Sequence, residues 1–229
     1  MPGKKQSPYR HLPKGLEILY EDKDIIVVNK PAGLLTVKTL TDKTRTVQYI
    51  LTDYVRKGNY KSRKQIFTVH RLDQWTSGVL VFAKSEEIKS RLQDQWQDVR
   101  KIYIAVVHGT PSPKEGIITS YLTENKAFVV YSTSDAEKGK LAQTAYKVLK
   151  ETGQFSLLEI NLMTGRKNQI RVHLADKGNP VVGDRKYGKE DGYRRLALHS
   201  KSIFFKHPAD GREMTFEAKL PNYFNELIR

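Results

Sequence analysis

Short apolar runs of strand length recur along this chain, most of them separated by turn-forming residues rather than by helices. Residues 16–20 and 25–29 are apolar and β-branched runs with Glu21-Asp22-Lys23-Asp24 between them, which reads as strand, turn, strand. Residues 66–69, 79–83, 102–107, 116–122, 127–131, 143–150, 155–162, 197–205 and 214–218 read as further strands. Helical spacing is found in three places. Residues 46–56 put Val47, Ile50, Leu51, Tyr54 and Val55 on one face, and Ser85 caps a segment with Ile88, Leu92 and Trp96 in line. Residues 168–176 form the third, ended by Gly178 and Pro180. Hairpins with a few helices predict an α+β domain, a mixed and largely antiparallel sheet flanked by helices, rather than a doubly wound fold. Residues 1–15, with Pro2, Pro8 and Pro13, are expected to form a flexible basic arm, and residues 16–229 a single domain.

A chain of 229 residues is long enough to bury a substantial core. Its formal charge of +15 is costly through self-repulsion unless a polyanion offsets it. RNA is the expected partner; solubility alone is the competing explanation. The charge is clustered. Lys4, Lys5, Arg10 and Lys14 have no acid among them, nor do Arg56, Lys57, Lys61, Arg63 and Lys64, where Tyr60 and Phe67 offer stacking surfaces. Taken singly, each cluster reads as readily as a solvated face. No apolar run approaches the roughly 20 residues of a bilayer span, and no apolar stretch follows the basic N-terminus as in a secretory signal. Cysteine is absent, which removes disulfides and thiolate metal sites, and a cytoplasmic protein is expected.

The chemistry-bearing candidates sit between strands. Asp73 lies in the loop His70-Arg71-Leu72-Asp73-Gln74-Trp75-Thr76-Ser77-Gly78. By itself an aspartate there is as well explained by a turn bonding its own backbone. The whole loop, however, resembles the signature of the ribosomal-large-subunit (RluA-type) pseudouridine synthases. Tyr20-Glu21-Asp22 and Ile26-Val27-Val28-Asn29-Lys30-Pro31-Ala32-Gly33 resemble that family's first motif, and Lys101-Ile102-Tyr103-Ile104-Ala105 its tyrosine motif. Thr164-Gly165-Arg166-Lys167-Asn168-Gln169-Ile170-Arg171-Val172-His173-Leu174 resembles its third motif. Gly183-Asp184-Arg185-Lys186-Tyr187-Gly188 and Leu196-Ala197-Leu198-His199-Ser200 fit its C-terminal part. The matches run in family order from about residue 17 to about residue 218. Two departures stand out. Lys167-Asn168 replaces the usual Thr-His or Ser-His, and Asn168 cannot titrate. Gln74-Trp75 replaces a more polar pair.

The resemblance implies isomerisation of uridine in ribosomal or transfer RNA by a short, catalytic-domain form; the sequence does not speak to oligomeric state, and a monomer is expected. The resemblance implies no metal and no organic cofactor, and the sequence has no His, Cys and carboxylate set at ligand spacing. Asp73 would be the catalytic carboxylate, in a bidentate pair with Arg171, and Tyr103 would stack on the target base with Ile170 on the other side. Arg71 would fill the gap left by a flipped uridine, while Arg166 and His70 would bind phosphate or brace the loop. Lys61, Arg63 and Lys64 would contact RNA. Without the resemblance, Arg171 reads as a helix-face arginine, Tyr103 as a core or edge-strand aromatic, Ile170 as core, and Arg71 as a phosphate-binding or structural arginine. Two rivals remain at this level. One is a non-catalytic RNA-binding domain of the same fold; the other is a glycoside hydrolase, which would need two cooperating carboxylates.

Overall fold

The computed structural model describes residues 12–40, 42–57, 59 and 61–229. Lys4, Lys5, Arg10 and Tyr60 fall outside the described residues. Fifteen elements follow in the order β1 (Glu17–Glu21), β2 (Ile25–Lys30), α1 (Val47–Arg56), β3 (Phe67–Thr68), β4 (Ser77–Ala83), α2 (Glu86–Asp94) and β5 (Arg100–His108). The chain continues through β6 (Glu115–Glu124), β7 (Val130–Thr133), β8 (Lys140–Glu151), β9 (Phe155–Leu162), α3 (Gln169–Asp176), β10 (Leu198–Lys206), β11 (Glu213–Glu217) and α4 (Asn222–Leu227). The strands make one sheet in the order β1-β2-β4-β10-β5-β9-β8-β6-β7, with β11 on β10 and β3 on β4. Among the described strands only β4 and β10 run parallel; the other ladders are antiparallel. The α+β fold expected from the sequence is the fold observed.

The period-two alternation of the strands divides the core. Ile26, Val28, Leu80 and Phe82 enter one cluster, while Ile25, Val27, Val79 and Val81 enter another. Leu51 of α1, Leu174 of α3 and Phe224 of α4 pack on the first; Ile88 and Leu92 of α2 pack on the second. Helices therefore cover both faces, and all seven residues of β4 are buried. Thr46 and Ser85 cap α1 and α2, each side chain accepting an amide N–H three residues on. None of the described helices is long and apolar enough to cross a membrane.

Several local expectations need correction. The strand expected at 127–131 is mostly a turn: the Asn125 side chain accepts the Ala127 and Val129 amides, so pairing starts only at Val130. Trp96 lies beyond α2, whose last residue is Asp94, and packs on the core from the following turn. The domain starts before residue 16, because Leu12 of the expected arm packs on the core and the Leu16 amide bonds the Pro13 carbonyl.

The parallel seam between β4 and β10 places the site. His199 pairs with Ser77 and Ser200 with Gly78 at its start, and Ser77 Oγ lies 2.8 Å from His199 Nδ1. Gly78 has φ +112°, and a Cβ there would stand 2.1 Å from the Ser200 carbonyl oxygen. Only glycine permits this approach. Gly78→Ala is expected to destabilise the fold by about 3 kcal/mol or more, through positive-φ strain plus a backbone clash. Denaturant titration checks this, and an unchanged midpoint would refute the packing argument.

Candidate active site

The loop at residues 70–76 opens directly onto that seam and is held in three ways. First, the Thr36 hydroxyl donates to the Leu72 carbonyl at 2.8 Å and accepts the Leu72 amide at 3.2 Å. Second, the Gly33 amide donates to the Gln74 carbonyl at 2.8 Å, and Gln74 Nε2 returns a bond to the Gly33 carbonyl. Third, the fully buried Lys30 donates to the carbonyls of Pro31, Leu34 and Gln74 at 3.0, 2.8 and 3.0 Å. Asp73 lies between two of these anchored residues. Lys30 belongs to a motif quoted above, but its sequence reads only as a strand-end lysine. Of its three acceptors, only the Gln74 carbonyl is far away in the chain.

On the other side of the pocket, Arg171 leaves the first turn of α3. The turn before that helix is built around Gln169. Its Oε1 accepts from the Thr164 hydroxyl and the Arg166 amide, and its Nε2 donates to the Gln143 carbonyl and to Thr144 Oγ1. Asn168 takes a left-handed conformation (φ 54°), which asparagine tolerates. Its Nδ2 donates to the Tyr187 hydroxyl at 2.9 Å and its Oδ1 accepts from Arg171 at 3.3 Å. The residue that departs from the family pattern thus positions Arg171 without titrating.

Arg171 does not give Asp73 the bidentate pair expected from the sequence. That pair goes to Asp184, at 2.7 Å from Nε and 2.7 Å from Nη2, while Asp73 receives one bond from Nη1 at 3.0 Å. The reason is burial. The Asp184 side chain is 1% exposed and demands full pairing, whereas Asp73 is 28% exposed and open to the pocket. The Tyr187 ring lies under the same guanidinium at 5.0 Å. Burial pulls the Arg171 pKa down, but the hydrogen bonds and charges of Asp184 and then Asp73 more than reverse this, so it stays a cation. Asp184 stands within a motif quoted above but had no role there, since its burial and its pairing with Arg171 are visible only in the fold. The closed-off Asp184 cannot serve as the second reacting carboxylate of a glycosidase.

Tyr103, Ile170, Leu162 and Leu198 form the apolar wall of the pocket, with Arg71 and Arg166 exposed at its edge. Burial pushes the Tyr103 hydroxyl up to about 12; the charge of Asp73 adds to this, and a hydrogen bond with Ser200 opposes it. The phenol is neutral at physiological pH. Arg166 also bonds the Leu141 carbonyl through Nε. His70 was expected to bind phosphate or brace the loop, and its surroundings favour bracing. Its Nε2 accepts the Val81 amide at 3.0 Å, its ring packs on Trp96, and burial with the nearby Lys101 charge pushes its pKa down to about 3. Lys61, Arg63 and Lys64 are exposed between α1 and β3 and do not line the pocket. Asp22, Asp24 and His207 come within 4.8 Å of one another, a cluster no sequence spacing announced. It lies away from the pocket lining, with His207 Nε2 3.0 Å and Arg212 3.6 Å from Asp22.

Residues 24–176 match the family model described as RNA pseudouridylate synthase. The Escherichia coli protein named Dual-specificity RNA pseudouridine synthase RluA is 36% identical over 214 residues, which cover 89% of this chain and 92% of the relative. The Rickettsia bellii protein named Ribosomal large subunit pseudouridine synthase C is 35% identical over 92% of this chain and 70% of its own. A solved structure titled Human RNA Pseudouridylate Synthase Domain Containing 4 superposes with a TM-score of 0.75 at 26% identity, over 91% of this chain and 90% of that one.

Lys30 supplies a test of the loop clamp. Burial lowers its pKa from 10.5 to about 7, with the charge of Asp73 opposing. Below pH 7 both folded and unfolded chains carry the ammonium, and the burial cost is present in full. Between pH 7 and 10.5 the unfolded chain binds the extra proton, so this group's contribution to stability rises with pH. Against Lys30→Met, the wild-type protein should gain relative stability across that window in denaturant titrations. A constant difference would mean that the three carbonyls compensate for burial completely.

Proposed function

The chain belongs to the RNA pseudouridylate synthase family, and on that footing we propose that it modifies ribosomal or transfer RNA with Asp73 as the catalytic carboxylate. The enzyme is an isomerase that converts uridine in RNA to pseudouridine. The N1–C1′ bond of the nucleotide breaks, a C5–C1′ bond forms, and the C5 proton is exchanged for one on N1. Substrate and product are isomers, so the chemistry balances without any oxidant, reductant or added group. On that ground we read the enzyme as needing neither metal nor organic cofactor. We also read it as a monomer working in the cytoplasm.

The observation that carries the assignment is a single half-open carboxylate facing the pocket, held at one oxygen by Arg171 and flanked by a buried neutral phenol. Whether Asp73 attacks the sugar, adds to the ring or removes a ribose proton, it must remain ionised in a partly dry site. The Arg171 guanidinium holds one of its oxygens by a hydrogen bond at 3.0 Å. Tyr103 enters each route as a neutral ring for stacking and as a hydrogen-bond donor; Ile170 packs on the opposite side. The pocket is recessed, so the uridine must leave its stack to reach it. Arg71, exposed at the edge, is suited to occupy the vacated position, since a guanidinium stacks on bases. For the choice of RNA, the name of the Rickettsia bellii relative supports ribosomal RNA, with transfer RNA as the second candidate.

Asp73→Asn keeps the size and loses the charge. In cells lacking the gene, pseudouridine mapping of ribosomal and transfer RNA should reveal the missing site. Wild-type enzyme should restore it and Asp73→Asn should not, although its RNA affinity stays within about twofold. Restoration by Asp73→Asn would remove the catalytic assignment, and a change in neither RNA class would remove the substrate assignment.

A further inference from the structure

The turn between β6 and β7 displays a phenylalanine where a soluble domain has least reason to place one. Phe128 is 70% exposed and has φ 59°, a left-handed conformation that is a genuine outlier for a bulky residue. Glycine or asparagine would occupy that position with less strain. The turn is nevertheless firmly determined. The Phe128 amide bonds the Asn125 carbonyl, the Asn125 side chain takes the amides on both sides, and Lys186 Nζ donates to the Phe128 carbonyl at 2.9 Å. A strained, exposed and over-determined side chain is the kind of feature that function retains.

Its neighbours connect it to the pocket. Lys167 Nζ lies 5.6 Å from the Phe128 ring centre and also pairs with Glu124. Lys167 stands between Arg166 and Asn168, both of which line the pocket. The Tyr187 hydroxyl accepts the Val130 amide from the hairpin and the Asn168 side chain from the site. Lys126 and Lys186 are exposed on the same turn and beside it. An aromatic face among lysines suits a nucleobase with its phosphates better than an apolar peptide, because stacking tolerates any base and the lysines meet the backbone.

We propose that Phe128 is a stacking platform for one unpaired nucleobase beside the target uridine, with Lys126, Lys167 and Lys186 on the adjoining phosphates. The inference rests on the RNA reading of the preceding section and names an additional contact surface for it. Because the platform is prebuilt, removing the ring should weaken RNA binding without loosening the fold.

The test compares wild type with Phe128→Asn and Phe128→Trp in fluorescence-anisotropy titrations against poly(U) and against heparin, a polyanion without bases. Phe128→Asn should melt no lower than wild type, bind poly(U) about tenfold more weakly and bind heparin equally well. Phe128→Trp should bind poly(U) at least as tightly as wild type. Unchanged poly(U) affinity for Phe128→Asn, an equal loss on heparin, or a markedly lower melting temperature would each overturn the proposal. Pseudouridine formation by the wild-type enzyme is read separately; its absence would remove the functional reading and leave the poly(U) difference standing.

Discussion

The Arg171 guanidinium is divided between two carboxylates, and the reacting centre depends on that division. Asp184 takes Nε and Nη2 at 2.7 Å each, which fixes the plane of the fork, and the remaining Nη1 edge then meets Asp73 at 3.0 Å. Asp184 is itself fixed by the amides of Lys186 and Tyr187, which both donate to its Oδ1. It follows Gly183, whose φ of +75° and approach to the Arg195 carbonyl leave no room for a Cβ. Orientation therefore passes from a backbone turn, through a buried ion pair, to an acid that stays partly open to the pocket. A buried pair of this kind adds little net stability, but removing one partner commonly costs about 3–5 kcal/mol. Its value here lies in geometry.

Asp73 meets the Arg171 cation on one side and, on the other, a lysine that is charged below about pH 7. Arg171 touches one oxygen, and the Lys30 ammonium beneath the loop is close enough for the carboxylate to oppose its loss of charge. Among the described residues Lys30 has no carboxylate partner within ion-pair distance; its three acceptors are backbone carbonyls, one of them next to Asp73 in sequence. The same lysine therefore ties down the loop and contributes to the field at the carboxylate. Tyr103 and His70, both shifted by burial toward their neutral forms, add no charge that would compete with it.

The sheet and its two-sided core were legible because the strand period is short and each β-branched run carries its own alternation, as β2 and β4 illustrate. The short helix α4 was not, since Asn222–Leu227 contains only six residues and no helical stripe. Asn125 also hid the late start of β7: a side-chain turn overrode the strand propensity of Phe128 and Val129. Within the site, local motifs identified Asp73, Tyr103 and Arg171 as candidates, but not how they pair. Asp184 and Lys30 act through burial and through contacts distant in sequence, properties that a linear pattern does not carry. His70 shows the converse, a motif residue whose ring nitrogen is occupied by the Val81 amide.

The most direct measurement is the single-turnover rate of pseudouridine formation by Asp184→Asn, taken with its RNA affinity. This residue is closed off from the pocket, so its effect reaches the chemistry indirectly, through Arg171 and through the turn that carries Tyr187. If Asp184 sets the fork that holds Asp73, the rate should fall about 100-fold, as for a reacting group displaced by about 1 Å, while RNA affinity changes less than about twofold. A folded Asp184→Asn enzyme with the wild-type rate would show that the shared guanidinium does not position the catalytic carboxylate.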